Sequence, residues 1–209
     1  MAETKTKTPR GQKSRNAILR EAAQLATVEG IEGLSIARLA DAVGMSKSGL
    51  FAHFGSKQEL QLATIETASA IFSEQVIDPA ERASTGVERI RELSENYLRH
   101  VQASVFHGGC FFASIASEMD THPGPVRDQA IEFMEGWIEL IASFVRQAQD
   151  EGDIDASVDA DQLAFEVESH MLLANALVVA KQEQTPIVRG RRAIESRIEA
   201  ATRSPEPGS

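Results

Sequence analysis

Apolar residues recur at intervals of three and four positions along most of this 209-residue chain. Ile36, Leu39, Ala40 and Val43 show the spacing clearly, because they fall at i, i+3, i+4 and i+7 and therefore share one face of a helix. The sequence contains no alternating apolar and polar run of a useful length for a strand. The pattern predicts an all-α protein of about nine helices.

The stretch from Ser35 to Lys57 has the pattern of two short helices joined by a glycine turn. The Ser35 hydroxyl is suited to cap the first helix, and Ser46 is suited to cap the second. Gly44 lies between them, where a left-handed turn is needed that glycine adopts without steric cost. This order of signals predicts a helix-turn-helix.

The second of these helices is predicted to have two different faces. Its apolar face is expected to pack against the other helices through Leu50, Phe51 and Phe54. Its first turn contains Lys47, Ser48 and Gly49. These residues place a cation, a small hydroxyl and a backbone without a side chain at the positive end of the helix dipole. Such a turn suits a crowded, anionic groove, which favours DNA as the partner.

This region resembles the DNA-binding domain of the tetracycline-repressor (TetR) family. The resemblance extends from about Arg15 to Leu60 and is strongest in the segment GMSKSGLFAHFGSKQEL, residues 44–60. It implies a three-helix helix-turn-helix domain at the N-terminus, followed by a helical bundle for ligand binding and dimerisation. It also implies a sequence-specific transcriptional regulator, a repressor that a small-molecule ligand releases from its operator.

The resemblance implies a role in DNA binding for individual positions. Residues at the positions of Lys47, Ser48 and Gly49 approach base edges in this family, and those at the positions of Phe51, His53 and Lys57 hold phosphates. The family usually has tyrosine at the position of Phe51, so one phenolic hydrogen bond to phosphate is missing here. We expect further contributions from Ser35 and Arg38 at phosphates and from Ser46 at the start of the second helix.

The charge of the chain is unevenly distributed. Residues 1–60 contain nine Lys or Arg and six Asp or Glu, a net charge of +3, which leaves −13 for the other 149 residues of a chain whose total is −10. A basic head on an acidic body would orient the head toward DNA. The alternative is an ordinary solvated charged face.

Four regions are expected along the chain. Residues 1–13 form a basic, flexible arm, which either touches DNA or is a plain flexible terminus. Residues 14–56 form the helix-turn-helix domain, residues 57–203 form the regulatory, ligand-binding and dimerisation domain, and residues 204–209 form a flexible tail. Two capping-box signatures, Ser56 with Glu59 and Thr85 with Glu88, mark helix starts in the body. Its predicted helices span about 57–77, 85–101, 110–119, 125–149, 159–181 and 186–202.

The last two predicted helices, about 159–181 and 186–202, have broad apolar stripes with small residues that permit close approach. They form either an intrachain core or an interface with a second copy of the chain. The resemblance favours a homodimer through a four-helix interface. Two heads about 34–36 Å apart would then read a palindromic operator in double-stranded DNA.

The body also contains candidate residues for binding an unidentified small-molecule effector. In the resembled family the middle helices enclose a ligand pocket, although residues of these types are more often ordinary core. A buried His170 or Asn175 would need a polar partner, which could be a ligand, the other subunit or a backbone carbonyl. The candidates are Phe106, Cys110, Phe111, Met134, Trp137, Phe165, His170 and Asn175.

Catalytic and metal chemistry find little support in the sequence. His107 and Cys110 could supply two zinc ligands, but a structural site needs four and no second cluster lies near them in sequence. The same pair could act as base and nucleophile, but no orienting residue is recognisable and a cysteine beside phenylalanines is usually inert. We therefore expect no metal, no cofactor and no enzyme activity.

The sequence also bears on location. A single cysteine forbids an intrachain disulfide, and no secretory signal is present. The longest apolar run, residues 171–180, is too short to span a membrane. We expect a cytoplasmic protein without a membrane partner.

The main alternative to a DNA-binding regulator is a helical binding module for a small molecule or a protein, without operator recognition.

Overall fold

The structure is a computed structural model, and it describes residues 9–118 and 123–202 of the chain. Three helices form the N-terminal head: α1 (Pro9–Glu29), α2 (Ile36–Val43) and α3 (Lys47–Phe54). Helix α4 (Lys57–Phe72) passes through a π-helical turn (Ser73–Ile77) into a short α5 (Asp78–Glu81). The body contains α6 (Gly86–Gln102), α7 (Phe111–Ile115), a 3₁₀ turn (Ala116–Glu118), α8 (Pro125–Glu151), α9 (Ala160–Lys181) and α10 (Thr185–Thr202).

The described residues contain helices and no strands, which confirms the predicted all-α class. Since α5 continues α4, the ten α-helical segments in these ranges form nine separate helices, as expected.

The head is built around a small apolar centre. Leu39 of α2 and Leu50 of α3 are fully buried, and α1 packs against both α2 and α4. The Arg15 guanidinium of α1 lies 4.8 Å from the centre of the Phe54 ring of α3. These contacts hold α3 with one face against the domain and the other toward solvent.

The body is a bundle in which each long helix has several neighbours. Helix α8 packs against α6, α9 and α4, and α10 packs against α9 and α6. Thr85 and Glu88 form the predicted capping box at the start of α6. At the start of α4, Ser56 caps the helix by accepting the N–H of Glu59 at 3.1 Å.

Several predicted boundaries differ from the structure, and two of these differences lie at the start of α1 and at the end of α8. Residues 9–13, which we assigned to the flexible arm, belong to α1. Pro9 fits the first position of a helix, because it has no N–H to leave unpaired there and its φ is already helical. Residues 1–8 of the predicted arm and the predicted tail 204–209 lie outside the described residues. The second difference is that α8 continues to Glu151 and ends at Gly152, whose φ is +82°.

Candidate DNA-binding surface and ligand cavity

The turn between α2 and α3 has the geometry that the sequence predicts. Ser35 accepts a hydrogen bond from the N–H of Arg38 at 3.2 Å and caps α2. Gly44 follows the last turn of α2 with φ +66°, in the left-handed region. Ser46 then caps α3 by accepting the N–H of Gly49 at 3.1 Å. Both serine hydroxyls therefore position the helices at this surface.

The first turn of α3 faces solvent. Lys47 and Ser48 are exposed, whereas Leu50 and Phe54 on the opposite face are buried. Phe51 is 56% exposed, so the prediction that it packs against the domain is wrong. Leu50 and Phe54 are four residues apart and share the buried face, and Phe51 lies about 100° around the helix from Leu50. Its ring is thus available to a partner of the head.

Two of the predicted phosphate-binding cations have partners within the protein. Arg38 forms an ion pair with Glu29, to which its Nε donates at 2.8 and 3.0 Å. The Lys57 ammonium donates to the Glu32 carbonyl oxygen at 2.6 Å and to the Glu32 carboxylate at 3.1 Å. Exposed ion pairs of this kind add little stability, because water screens both charges, so a phosphate can compete for either cation.

The nine residues predicted to bind DNA lie in one continuous unit, from the N-cap of α2 to the first residue of α4. His53 is half-buried in the last turn of α3, with its ring centre 6.1 Å from that of Phe54. The residues brought together are Ser35, Arg38, Ser46, Lys47, Ser48, Gly49, Phe51, His53 and Lys57.

The body contains a small cavity of about 70 Å³ between α4, α6, α7, α8 and α9. Five of its lining residues are aromatic: Phe72, Tyr97, Phe112, Phe133 and Trp137. The rings contact each other edge to face around Phe72, as in its 5.0 Å centre-to-centre contact with Trp137. The other lining residues are Cys110, Ala113, Met134, Ile138, Glu168 and Leu172.

Three of the eight residues predicted to bind a ligand line this cavity, namely Cys110, Met134 and Trp137. Phe106 and Phe111 are buried in the core, where their ring centres lie 6.0 Å apart. Neither of these two lines the cavity.

The other three predicted residues lie on α9 and do not line the cavity. Phe165 is 59% exposed, and His170 lines a groove on the outer side of α9 against α10. The buried face of α9 contains Leu163 and Val167, and Phe165 is about half a turn away from both. Asn175 is buried and accepts the backbone N–H of Cys110 at 2.8 Å, so its partner is the backbone.

Two polar residues of the lining besides Cys110, Glu168 and Tyr97, were not predicted from the sequence. Glu168 lies four residues after Ala164 and three before Met171, both buried on α9. The signal for Glu168 in the sequence was a carboxylate on an otherwise apolar stripe of α9. Tyr97 is the only tyrosine of the chain and is 1% exposed.

The polar groups of the cavity are all acids in an apolar environment. The indole N–H of Trp137 donates to Glu168 Oε2 at 2.7 Å. Burial nevertheless raises the pKa of Glu168 to about 7. Burial likewise raises the pKa of the Cys110 thiol to about 11. The Tyr97 hydroxyl lies beside that thiol, and burial raises the pKa of this hydroxyl as well.

The segment that carries part of the cavity wall also contacts the head. We call residues 105–118 the bridge segment. The side chain of Gln24 in α1 donates to the Val105 carbonyl oxygen at 2.7 Å and accepts the N–H of His107 at 2.9 Å. Gly108 lies so close to α1 that an added Cβ would sit 2.0 Å from the Thr27 carbonyl oxygen. The bridge segment is therefore packed tightly against the first helix of the head.

The end of the bridge segment holds the link between α1 and α2. The Glu118 carboxylate accepts the backbone N–H of Ile31 at 3.2 Å and that of Glu32 at 3.1 Å. Gln61 of α4 donates to the Ile31 carbonyl oxygen at 2.7 Å. Body and head thus meet through the bridge segment and α4, and both of these elements also line the cavity.

Helices α9 and α10 present an apolar face to solvent. Phe165 and Leu173 on α9 are each 59% exposed, and Val188 on α10 is 61% exposed. By length and composition α9 could also cross a membrane, and only 33% of its most apolar window is buried within the bundle. A second copy of the chain would account for such a face, as would another apolar partner.

Comparison with known proteins gives a consistent assignment. Residues 18–64 match the model of the bacterial regulatory proteins of the tetR family, and residues 86–194 match the tetracyclin repressor-like C-terminal domain. The transcriptional regulator AcuR of Cereibacter sphaeroides is 24% identical over 149 residues, which cover 70% of this chain and 68% of AcuR.

Solved structures agree with this assignment. A TetR transcriptional regulator from Chloroflexus aurantiacus superposes with a TM-score of 0.84 at 26% identity, over 92% of this chain and 97% of that one. AibR, solved in complex with isovaleryl coenzyme A and operator DNA, has the same fold with a TM-score of 0.69 at 23% identity, over 90% of this chain and 98% of AibR. The chain therefore belongs to the TetR family of transcriptional regulators, soluble proteins that bind operator DNA as dimers.

Proposed function

We propose that this regulator is a repressor that reads a palindromic operator through α3 and releases it when a small molecule occupies the body cavity. The observation that carries the proposal is the exposed first turn of α3, with Lys47 and Ser48 facing solvent on a helix that Ser46 caps. A helix presented in this way enters the major groove with its first residues at base edges. Lys47 would supply base preference, and Arg38, His53 and Lys57 would bind phosphates.

The apolar face of α9 and α10 would form the homodimer interface. The pair of exposed residues Phe165 and Leu173 is eight positions apart on α9, so both lie on one side of the helix. Val188 extends this face onto α10. Residues 57–203 would thus serve both dimerisation and ligand binding. A twofold axis through this interface would place two copies of the head, residues 14–56, on one side of the dimer.

The cavity would communicate with the head through two elements. Phe72 lies at the end of α4, immediately before the π-helical turn, and it contacts four other aromatic rings of the cavity wall. Cys110 and Phe112 belong to the bridge segment, which ends at Glu118 against the α1–α2 link. A ligand that binds better to one arrangement of these walls than to another would shift the head spacing, because only differential affinity moves such an equilibrium.

We infer that the protein has no enzyme activity and acts in the cytoplasm, where a DNA-binding regulator meets its operator. Cys110, the sole cysteine, is 3% exposed, and its pKa of about 11 keeps the thiol protonated at neutral pH. A thiol in that state is a poor nucleophile. The cavity is accordingly proposed as a binding site.

Fluorescence anisotropy on DNA from upstream of the protein's own gene tests the proposal, at about 0.15 M salt with excess random competitor DNA. Saturable binding that survives the competitor is the expected result. If binding to every fragment of a genomic library is lost to competitor, the operator-reading function is wrong, and a helical binding module is the better description.

A further inference from the structure

We propose that the cavity binds the alkylated ammonium group of a small organic cation, with Glu168 as its counter-ion and the rings of Phe72, Tyr97, Phe133 and Trp137 as its cage. This inference rests on the proposed function in treating the cavity as the effector site, but ligand binding can be measured without DNA.

The lining of the cavity favours a cation. The chain has eleven aromatic residues, nine Phe, one Tyr and one Trp, and five of them surround this single small space. Aromatic faces carry negative potential and attract cations, tryptophan most strongly. Glu168 is the only charged lining residue, and no basic side chain among the described residues pairs with it. An anionic ligand would meet a carboxylate and no compensating donor other than the Trp137 indole and neutral hydroxyl or thiol groups.

The small number of hydrogen-bond acceptors in the cavity determines which kind of cation fits there. A primary ammonium has three N–H groups that need acceptors once water is removed. The cavity offers the Glu168 carboxylate, one of whose oxygens already accepts from Trp137, together with the Tyr97 hydroxyl. A methylated ammonium has few or no N–H groups and can lie directly against the rings. An alkylated head group therefore fits the lining better.

The size of the cavity restricts the head group. Its volume of about 70 Å³ is several times the ~10–15 Å³ that one water molecule needs. A group of a few heavy atoms, such as trimethylammonium, corresponds to this volume. Any longer part of the ligand would have to leave the cavity between Met134, Ile138 and Leu172, which are only partly buried.

Glu168 also predicts how binding depends on pH. The titratable groups that face it among the described residues are Tyr97 and Cys110, and burial raises the pKa of both so that they stay neutral near pH 7. A permanent cation prefers ionised Glu168, whose pKa is about 7 in its absence. The affinity should therefore rise about tenfold between pH 6 and pH 8.

Trp137 makes the site directly observable, because it is the only tryptophan of the chain and lines the cavity. Tetramethylammonium chloride is titrated into the full-length protein at constant ionic strength, and tert-butanol, a neutral molecule of similar size, is titrated in parallel. We expect a saturable change in Trp137 emission with tetramethylammonium and none with tert-butanol at the same concentrations.

Variants then assign the binding to Glu168. Glu168→Gln keeps the size of the side chain and an acceptor for the Trp137 N–H, and it should weaken tetramethylammonium binding about tenfold or more. Glu135→Gln removes the same charge at an exposed position of α8 and should leave the affinity within about twofold. Phe133→Leu, which keeps the carboxylate but removes one ring, should weaken binding by a smaller factor.

The outcomes separate this inference from the proposed function. Equal binding of tert-butanol, or unchanged binding in Glu168→Gln, overturns the cation site whatever the protein does with DNA. Operator binding without any tetramethylammonium binding likewise overturns the inference and leaves the proposed function standing. Tetramethylammonium binding with the expected variant pattern but without any effect on operator DNA supports the site and contradicts ligand-controlled release.

Discussion

The head and the body of this protein present their chemistry in opposite ways. In the head, Lys47 and Ser48 are exposed on an eight-residue helix whose start is fixed by one serine cap. In the body, Tyr97 and Trp137 are buried in a wall of rings contributed by different helices, and Glu168 is partly buried among them. The head can approach a large, anionic partner from solvent. The cavity of the body, in contrast, can enclose only a small molecule that loses its hydration shell on binding.

Because of this difference, DNA binding by the head and ligand binding by the body depend on different conditions. Exposed cations gain from long-range attraction to DNA and lose it as salt is added. A partly buried carboxylate among aromatic rings gains from low dielectric and is little affected by salt, but it responds to pH because its own charge is costly. The bridge segment and α4 join these two environments.

The largest effect is expected from breaking the proposed dimer face of the body. Leu173→Glu places a charge on the exposed apolar face of α9 and should convert the dimer to a monomer in light scattering. Because the second head then no longer binds next to the first, operator affinity should fall by at least about 100-fold. Ala103→Glu adds the same charge at an exposed position immediately after α6, away from this face, and should leave both properties unchanged. A dimer that persists in Leu173→Glu would refute the proposed interface.

Two lysines of the head should behave differently although both are exposed. Lys47→Ala should reduce the preference for operator over random DNA by about 1–3 kcal/mol, since it removes a contact to a base edge. Lys57→Ala should weaken binding to all sequences alike and flatten the salt dependence by roughly one unit. Anisotropy on specific and random duplexes over a range of salt concentrations measures both effects. Identical profiles for the two variants would contradict this division of roles.

The body should show a pH-dependent stability that Glu168 causes. The folded-state pKa of about 7 lies above the ordinary 4.5, so the folded protein holds this proton more tightly than the unfolded chain. The stability contribution is fully present below about pH 4.5 and is lost as the pH rises through 7. Glu168→Gln should therefore gain about 1–3 kcal/mol over the wild type between pH 5 and pH 8, as measured by denaturant unfolding. Glu135→Gln serves as the control, and a constant difference between Glu168→Gln and wild type would argue against a buried, titrating carboxyl.

The smallest effect is expected at the junction of the two regions. Glu118→Ala removes the acceptor for the backbone N–H groups of Ile31 and Glu32, so the head should be held less firmly on the body. Because ordering the head then costs more on binding, operator affinity should fall by about two- to tenfold, although Glu118 lies outside the predicted DNA-binding residues. Glu81→Ala, an exposed carboxylate at the end of α5, is the matched control. An unchanged affinity in Glu118→Ala would exclude this contact from the coupling.

The head could be predicted from sequence because its signals are local. Ser35, Gly44 and Ser46 act within three or four residues of their own positions, and the structure shows each cap and the turn as expected. The exceptions depend on tertiary geometry. Phe51 faces solvent because Leu50 and Phe54 already occupy the short buried face of α3. The pairing of Lys57 with Glu32 depends on how α4 meets the α1–α2 link, which no local rule describes.

The cavity could be predicted only in part, for the same physical reason. Cys110, Met134 and Trp137 were identified by residue type, but type alone does not distinguish a cavity wall from the core around Phe106 and Phe111. That distinction depends on how five helices pack together. Phe165 shows most clearly that residue type is not enough for this prediction. It is an aromatic residue on an apolar helix, yet it lies on the outer face of α9.

Hydroxyl-radical footprinting of the protein on its selected operator would show whether two α3 helices of a dimer read the DNA. We expect two protected half-sites related by a twofold axis, with centres about 34–36 Å apart, and their loss in Lys47→Ala under conditions in which random DNA is bound equally well. Protection without twofold symmetry, or a footprint that Lys47→Ala leaves intact, would show that paired α3 helices do not read the operator.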